Sequence, residues 1–413
     1  MRVLWISSYS GLLNTTKSGY NGAGWVSSLQ REVVSKNGIE LGLAFAASES
    51  NKIVENGTTY YAVHKEQLGP VSKLLYYYGG YKKTANDLNI DGYLKAIDDF
   101  KPDIIQFFGT ESPELQLIRH LKTPHVVHLQ GVLSACQKAF LPPALGLKEI
   151  RRNGNFIREN ILRNGFAFNY ESMITRGKYE AEWMRDVKNF IGRTEWDRQM
   201  SATLSPNSRY FHVDEVLRQD FYEAAKWKLK TNEHLVLCST ISETIYKGLD
   251  LILKTADLLK GHGVDFEWQV AGMQAGSDVQ KLFEKVYGIN AKEVNINFLG
   301  IRTACQLKEM LSGCDFYIHP SYIDNSPNSV CEAQLLGVPI IACDVGGLSS
   351  LIDDGKNGWL VPSNAPYEIV YLLEHRRDLP LSQISNSAIE IATQRHDRSK
   401  IVEQLMLTYK ELL

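Results

Sequence analysis

Short apolar runs alternate with helical repeats along the whole chain. Residues 3–7, 41–46, 103–108, 125–129 and 190–191 read as buried strands, and amphipathic stretches at 24–37, 91–100 and 113–121 lie between them. The second half repeats the alternation. Strands at 234–239, 267–271, 294–299, 316–319, 339–343 and 359–361 interleave with helices near 249–260, 279–287, 305–311 and 328–336. Apolar strands separated by helices imply parallel sheets covered on both faces. The chain is therefore an α/β protein of two doubly wound, Rossmann-like domains, residues 1–214 and 215–390, with the junction between 214 and 232. The remaining segment, 391–413, ends in a helix near 399–413 that belongs to neither alternation and is expected to pack back on the first domain.

The length of 413 residues fits two domains, three at most, at about 150 residues each. Hydrophobic residues at 44% and charged residues at 22% are ordinary globular usage, which excludes a disordered chain, a collagen and a coiled-coil rod. Forty-five Lys and Arg against 47 Asp and Glu leave a net charge of −2, so no global positive field draws the protein onto nucleic acid. The six cysteines, at 136, 238, 305, 314, 331 and 343, form no C-x-x-C pair and no Cys/His cluster. They read as small hydrophobes of a reducing compartment rather than a disulfide or zinc framework. The apolar start of the chain is too short for a signal peptide, and no stretch approaches the roughly 18 apolar residues of a membrane span. The expected location is the cytoplasm, with any membrane contact peripheral. Segment 148–163 bears on that contact. It carries Lys148, Arg151, Arg152, Arg158 and Arg163 interleaved with Ile150, Phe156, Ile157, Ile161 and Leu162. Two readings stay open: a basic amphipathic face for an anionic membrane surface, or a solvated helix face.

In doubly wound folds, ligands bind beyond the carboxyl ends of the strands. The dinucleotide fingerprint G-x-G-x-x-G is missing, since Gly19, Gly22 and Gly24 have the wrong spacing, and there is no Walker loop and no G-x-S-x-G. Hydride transfer, P-loop phosphoryl transfer and α/β-hydrolase chemistry lose support. The informative stretch is 319–333. A strand ending at His319 runs into a polar loop holding Asp324, then Ser326 as expected N-cap, Pro327 as first helical residue, and a helix that Gly337 ends. The bare amides of Asn328 and Ser329 and the positive helix end make an anion site suited to phosphate. Asp324 before that terminus and Glu332 within the helix are expected to flank the anion. Carboxylates accept hydrogen bonds from vicinal hydroxyls, so the pattern suits a nucleotide sugar.

Asp324-x7-Glu332-Ala333, Gly337-Val338-Pro339, Gly346-Gly347 and Asp354-Gly355-Lys356-Asn357-Gly358 follow one another, with Tyr246-Lys247-Gly248 and Phe298-Leu299-Gly300 upstream. Together these motifs resemble the retaining glycosyltransferases of family 4. The resemblance covers about 235–361 in detail and the first half by pattern. It implies the GT-B fold, in which two Rossmann-like domains face a central cleft. It also implies transfer of a sugar from a nucleoside diphosphate to a hydroxyl acceptor, a saccharide or lipid-linked saccharide, with retention at the anomeric carbon.

By this resemblance, Asp324 contacts the transferred sugar, Glu332 the ribose hydroxyls, and Lys247 the diphosphate as charge grows on it. Asp324 is one methylene shorter than the family's usual Glu. The family's Arg six residues before the Lys falls on Ile241. Arg193, just after a strand of the first half, is the expected replacement cation; the competing expectation is an ion pair with Glu195 or Asp197. Gly22 and Gly24 match the glycines that approach the diphosphate. Gln130 aligns with the family's His near the reacting sugar, with His128 two positions earlier on the same strand face. No metal and no cofactor are expected, the donor being a substrate. The rival readings are a non-catalytic nucleotide-sugar-binding partner of a transferase, supported by Ile241 and Gln130, and a UDP-sugar 2-epimerase.

Overall fold

The computed structural model describes residues 1–13, 24–36, 38–80, 88–231 and 233–413. Gly22 lies outside these residues. The chain divides into two units, each with its own sheet.

The first unit comprises Met1–Gln137, Tyr170–Val216 and His396–Leu413. Its strands are β1 (Arg2–Ile6), β2 (Glu40–Ala47), β3 (Asn51–Glu55), β4 (Thr58–His64), β5 (Ile104–Phe108), β6 (His125–His128), β7 (Asn189–Gly192) and β8 (Arg209–His212), in the order β3-β4-β2-β1-β5-β6-β7-β8. All neighbours are parallel except β3 and β4. Val3, Leu4 and Trp5 of β1 are fully buried because helices cover both faces. On one face, Trp25, Leu29 and Val33 of helix Gly24–Val34 pack with Ile401, Leu405 and Tyr409 of helix Arg398–Leu412. On the other, Tyr93 and Phe100 of helix Ile90–Phe100 pack with Trp183 and Met184 of helix Phe166–Met184. The terminal helix is anchored inside the unit by polar contacts as well. Trp5 Nε1 donates to the Tyr409 hydroxyl at 3.1 Å, and that hydroxyl donates to Gln106 Oε1 at 2.5 Å.

Strands β3, β4 and β8 have no counterpart in the periodicity reading. The β3–β4 hairpin turns at Asn56-Gly57, both at positive φ, and this dipeptide is its one clear local signal. Its outer strand is mostly exposed, so no apolar run marks it.

The second unit comprises Lys138–Asn169 and Leu217–Arg395. Its strands are β9 (Leu235–Thr240), β10 (Phe266–Ala271), β11 (Ile296–Gly300), β12 (Phe316–His319), β13 (Ile340–Cys343) and β14 (Trp359–Val361), all parallel in the order β11-β10-β9-β12-β13-β14. The order reverses between β9 and β12, the topological switch point where such sheets bind ligands. Segment 138–169 corrects the domain boundaries read from the sequence, which kept it with the first domain. Helix Leu147–Asn153 packs on helix Asp278–Tyr287, Ile150 is buried, and Arg158 Nη1 donates to Asp278 Oδ2 at 2.7 Å. The buried Glu159 accepts from the amides of Phe166 and Ala167 at 2.7 and 3.1 Å, which fixes the end of the segment. All six cysteines are free thiols; Cys238, Cys314, Cys331 and Cys343 are buried, whereas Cys305 is exposed. Among the described residues, no helix is long and apolar enough to cross a membrane.

Candidate active site

The second unit builds its site where two loops meet beyond β9 and β12. The loop after β9 passes through Lys247 to Gly248, which stands at φ +80° and opens helix Leu249–Gly261. A Cβ on Gly248 would lie 2.0 Å from the carbonyl oxygen of Pro320, in the loop after β12. Only glycine combines that positive φ with so close an approach. The two loops are also joined by a backbone bond from Tyr322 N to Tyr246 O at 2.9 Å. On the other side, Gly346 stands at φ +55°, and a Cβ there would lie 1.8 Å from the carbonyl oxygen of Asp324; Gly347 N donates to that oxygen at 3.0 Å. The glycines of both motifs thus clamp the Asp324 loop from two sides.

The clamp places Lys247 Nζ 2.6 Å from Asp324 Oδ2, with His319 Nε2 3.3 Å from the same oxygen. Burial alone would raise the Asp324 carboxyl, but the Lys247 charge and the close His319 ring outweigh it and hold the group well below the usual carboxylate range. Asp324 is therefore ionised at neutral pH. Four residues on, helix Asn328–Leu336 begins. Pro327, not Ser326, occupies the N-cap: the Pro327 carbonyl accepts from Val330 N at 3.0 Å and Cys331 N at 3.2 Å. Asn328 and Ser329 become the first two helical residues, whose N–H groups have no acceptor within the helix. Lys247, Asp324 and these two amides are the predicted residues that the fold brings to one end of one unit.

Glu332 departs from expectation. It is 1% exposed, and Arg218 grips it through both oxygens: Nε to Oε1 at 2.6 Å and Nη2 to Oε2 at 2.5 Å. Its place on helix Asn328–Leu336 turns it toward the short helix Gln219–Tyr222, which Arg218 caps and whose Phe221 ring lies 5.0 Å from the Arg218 guanidinium carbon. The two carboxylates do not present equally to solvent. Burial raises the Glu332 carboxyl, Arg218 counteracts it, and Asp220 adds to the rise. Ile241 is buried after β9, with its amide donating to Ala271 O at 3.0 Å, so it supplies no charge.

In the first unit, the structure gives surroundings to Arg193, His128, Gly24 and Gln130. Arg193 N donates to Asp197 Oδ2 at 2.9 Å, and Glu195 accepts from Arg198 Nε and Nη2 at 2.7 and 2.5 Å. The Arg193 guanidinium is 3% exposed, lies 3.9 Å from Glu215, donates to the carbonyls of Leu129 and Gln130 at 3.2 and 3.4 Å, and stacks on Trp25. A cation so enclosed braces the chain after β6. His128 is fully buried between the rings of Trp25 and Phe108. Burial, then Arg193, push its imidazole well below its ordinary value, so it is a neutral core residue. Gly24 opens helix Gly24–Val34. Gln130, partly exposed, stays on the rim beyond β6.

Sequence reasoning passed over three residues. Arg218 lies outside every motif. His319 was read only as the end of a strand. Glu111, in the loop after β5, accepts from Gly131 N at 2.7 Å, and burial together with Glu180 pushes its carboxyl up to about 7. None carries a local pattern; only the topology reveals their partners.

Comparison with known proteins bears on this geometry. Residues 222–378 match the family described as glycosyl transferases, group 1. Solved structures align over the full length: sucrose-phosphate synthase from Thermosynechococcus elongatus has a TM-score of 0.72 at 13% identity, covering 100% of this chain and 99% of its own. HepE of Anabaena, solved in complex with UDP, gives 0.63 at 14% identity with both chains fully covered.

The fold is GT-B.

Among curated relatives, the putative colanic acid biosynthesis glycosyltransferase WcaL of Salmonella typhimurium is 28% identical over 136 residues, 32% of this chain and 33% of the relative. The D-inositol 3-phosphate glycosyltransferase of an Arthrobacter is 28% identical over 152 residues, 36% and 35% of the two chains. The aligned stretch thus spans about a third of the length of these relatives. The resemblance to group 1 glycosyltransferases read from the motifs stands, and its strongest part is the unit that holds Lys247 and Asp324.

Proposed function

We propose that the protein is a glycosyltransferase that moves a sugar from a nucleoside diphosphate to a hydroxyl acceptor with retention at the anomeric carbon. The observation that carries this reading is the Lys247–Asp324 pair, 2.6 Å apart, at the start of a helix whose first amides have no internal acceptor. The amides of Asn328 and Ser329 receive the diphosphate. Lys247 neutralises charge developing on it as the glycosidic bond breaks, where fixed positive groups act most strongly. Asp324, ionised, accepts from a hydroxyl of the sugar and orients the anomeric carbon; Glu332 serves the ribose hydroxyls. Lys247 and the helix terminus supply the positive charge, so the reading assigns no metal and no further cofactor. HepE in complex with UDP supports a uridine nucleotide as the first donor to test. Relatives in colanic acid and inositol phosphate glycosylation support a saccharide or lipid-linked saccharide acceptor, with Gln130, Gly22 and Gly24 as candidates in the first half.

Segment 148–163 supports a peripheral site of work at a cytoplasmic membrane face. Phe156, 67% exposed, and the exposed Ile157, Ile161 and Leu162 share it with five basic residues, and apolar side chains amid basic ones match an anionic surface.

The test is incubation with UDP-glucose, UDP-N-acetylglucosamine, GDP-mannose and ADP-glucose. One donor should release its nucleoside diphosphate slowly, and Asp324→Ala should reduce that release. With an acceptor, NMR should show the anomeric configuration of the donor in the product. Absence of release from all four donors, with nucleotide binding intact, would favour the non-catalytic partner, which the buried Ile241 and the enclosed Arg193 also fit.

A further inference from the structure

We propose that Arg218 is a positioning residue for nucleoside recognition: its fork on Glu332 orients the buried carboxylate and keeps it an anion for the ribose hydroxyls. The proposal rests on the donor reading above. A carboxylate has about four acceptor positions. Arg218 takes one on each oxygen, at 2.6 and 2.5 Å, which leaves two for a pair of donating hydroxyls. Glu332 is fixed on helix Asn328–Leu336 one turn beyond Asn328 and Ser329, so it stands at a set distance along the helix from the diphosphate amides. An anion at 1% exposure is costly without a cation against it. The charged groups that act on Glu332 are Arg218 and Asp220, and they oppose each other. Asp220 makes the carboxyl harder to ionise, and among the described residues Arg218 favours the charged form.

Arg218 lies at the first residues of the second unit, within the short segment leading into helix Gln219–Tyr222. Its guanidinium is fixed from the other side by the Phe221 ring. The fork is planar and bidentate, a geometry that a lysine cannot reproduce. A purely structural ion pair would change stability when broken. A positioning pair also changes which nucleotide binds, and at which pH.

The experiment is calorimetric titration of UDP and 2′-deoxy-UDP into wild type, Arg218→Met and Arg218→Lys at pH 7, 8 and 9. Wild type should prefer UDP by about tenfold, the scale of one lost hydrogen bond to a charged group, and be flat across this range. Arg218→Met should bind UDP about tenfold more weakly at pH 7, discriminate twofold or less, and recover part of its UDP affinity by pH 9 as Glu332 ionises without its cation. Arg218→Lys keeps a charge for folding and should lose only part of the discrimination. Unchanged discrimination and a flat pH profile in a folded Arg218→Met would overturn the proposal while leaving the donor reading intact. Should Arg218→Met fail to fold, unchanged discrimination in Arg218→Lys would overturn it. Wild type that binds UDP, GDP and ADP no better than buffer would overturn both.

Discussion

Replacing Lys247 by Met leaves Asp324 with a fraction of its present support. The ammonium sits 2.6 Å from Oδ2, and the two side chains are 23% and 19% exposed. Breaking a fully buried pair costs about 3–5 kcal/mol, and an exposed pair about 0–1; partial solvent access and the remaining His319 contact at 3.3 Å place this loss near 2 kcal/mol. The pH dependence has a definite sign. Asp324 has a folded-state pKa below its unfolded value, so its contribution is complete above the unfolded pKa and fades as pH falls through the acidic range. The destabilisation by Lys247→Met should accordingly be full at pH 7 and shrink toward pH 3. Urea unfolding of wild type, Lys247→Met, Asp324→Asn and the double variant gives the coupling directly. About 1–2 kcal/mol is expected at pH 7 for groups in such contact. Turnover should fall further than stability explains, about a hundredfold, as for loss of one group that stabilises developing charge. A coupling near zero at pH 7, or a destabilisation that grows toward acid, would refute the reasoning.

The enclosed Arg193 should behave as a structural brace: Arg193→Met removes the cation beside Glu215 and two carbonyl contacts, at a cost of about 3–5 kcal/mol, and a loss under 1 kcal/mol in urea would contradict that placement. Glu111 titrates in the opposite sense to Asp324. Its pKa, raised from 4.5 to about 7, means that wild-type stability falls as pH rises from 5 to 8. Glu111→Gln should remove that slope and be the more stable form at pH 8 by about 1–3 kcal/mol; parallel stability curves for the two proteins would dismiss the assignment. A Phe156→Asp, Ile161→Asp double variant should lose sedimentation with vesicles rich in anionic lipid while keeping donor hydrolysis, and equal binding of both proteins to neutral and anionic vesicles would dismiss the membrane face.

The alternation of apolar strands with helices was legible because each strand of a two-sided parallel sheet is a continuous apolar run, as in 316–319 and 340–343. The outer strand β3 was not, because an exposed edge strand carries no such run. The site divides along the same line. Lys247, Asp324, Asn328 and Ser329 were readable from loops whose glycines have a steric duty, now visible as the approaches of Gly248 to Pro320 and Gly346 to Asp324. Arg218 was not readable, since its partner is 114 residues away. The surroundings of Arg193 and His128 were not readable for a related reason. A charged or titratable residue at a strand end looks the same in sequence whether it faces a ligand or closes a core, and the rings of Trp25 and Phe108 decide the matter only in three dimensions. Segment 138–169 was assigned to the first domain by order along the chain, whereas Ile150 and the Arg158–Asp278 pair attach it to the second unit.

The central claim is that Lys247, Asp324 and the first amides of helix Asn328–Leu336 form the seat of a nucleoside-diphosphate sugar. Isothermal titration of UDP, GDP and ADP into wild type and Lys247→Met tests it most directly. One of the three should bind wild type and bind Lys247→Met at least tenfold more weakly, the scale of a lost charge-assisted contact, while Asp324→Ala keeps most of the affinity. No binding by any of the three, or equal binding to wild type and a folded Lys247→Met, would contradict the account.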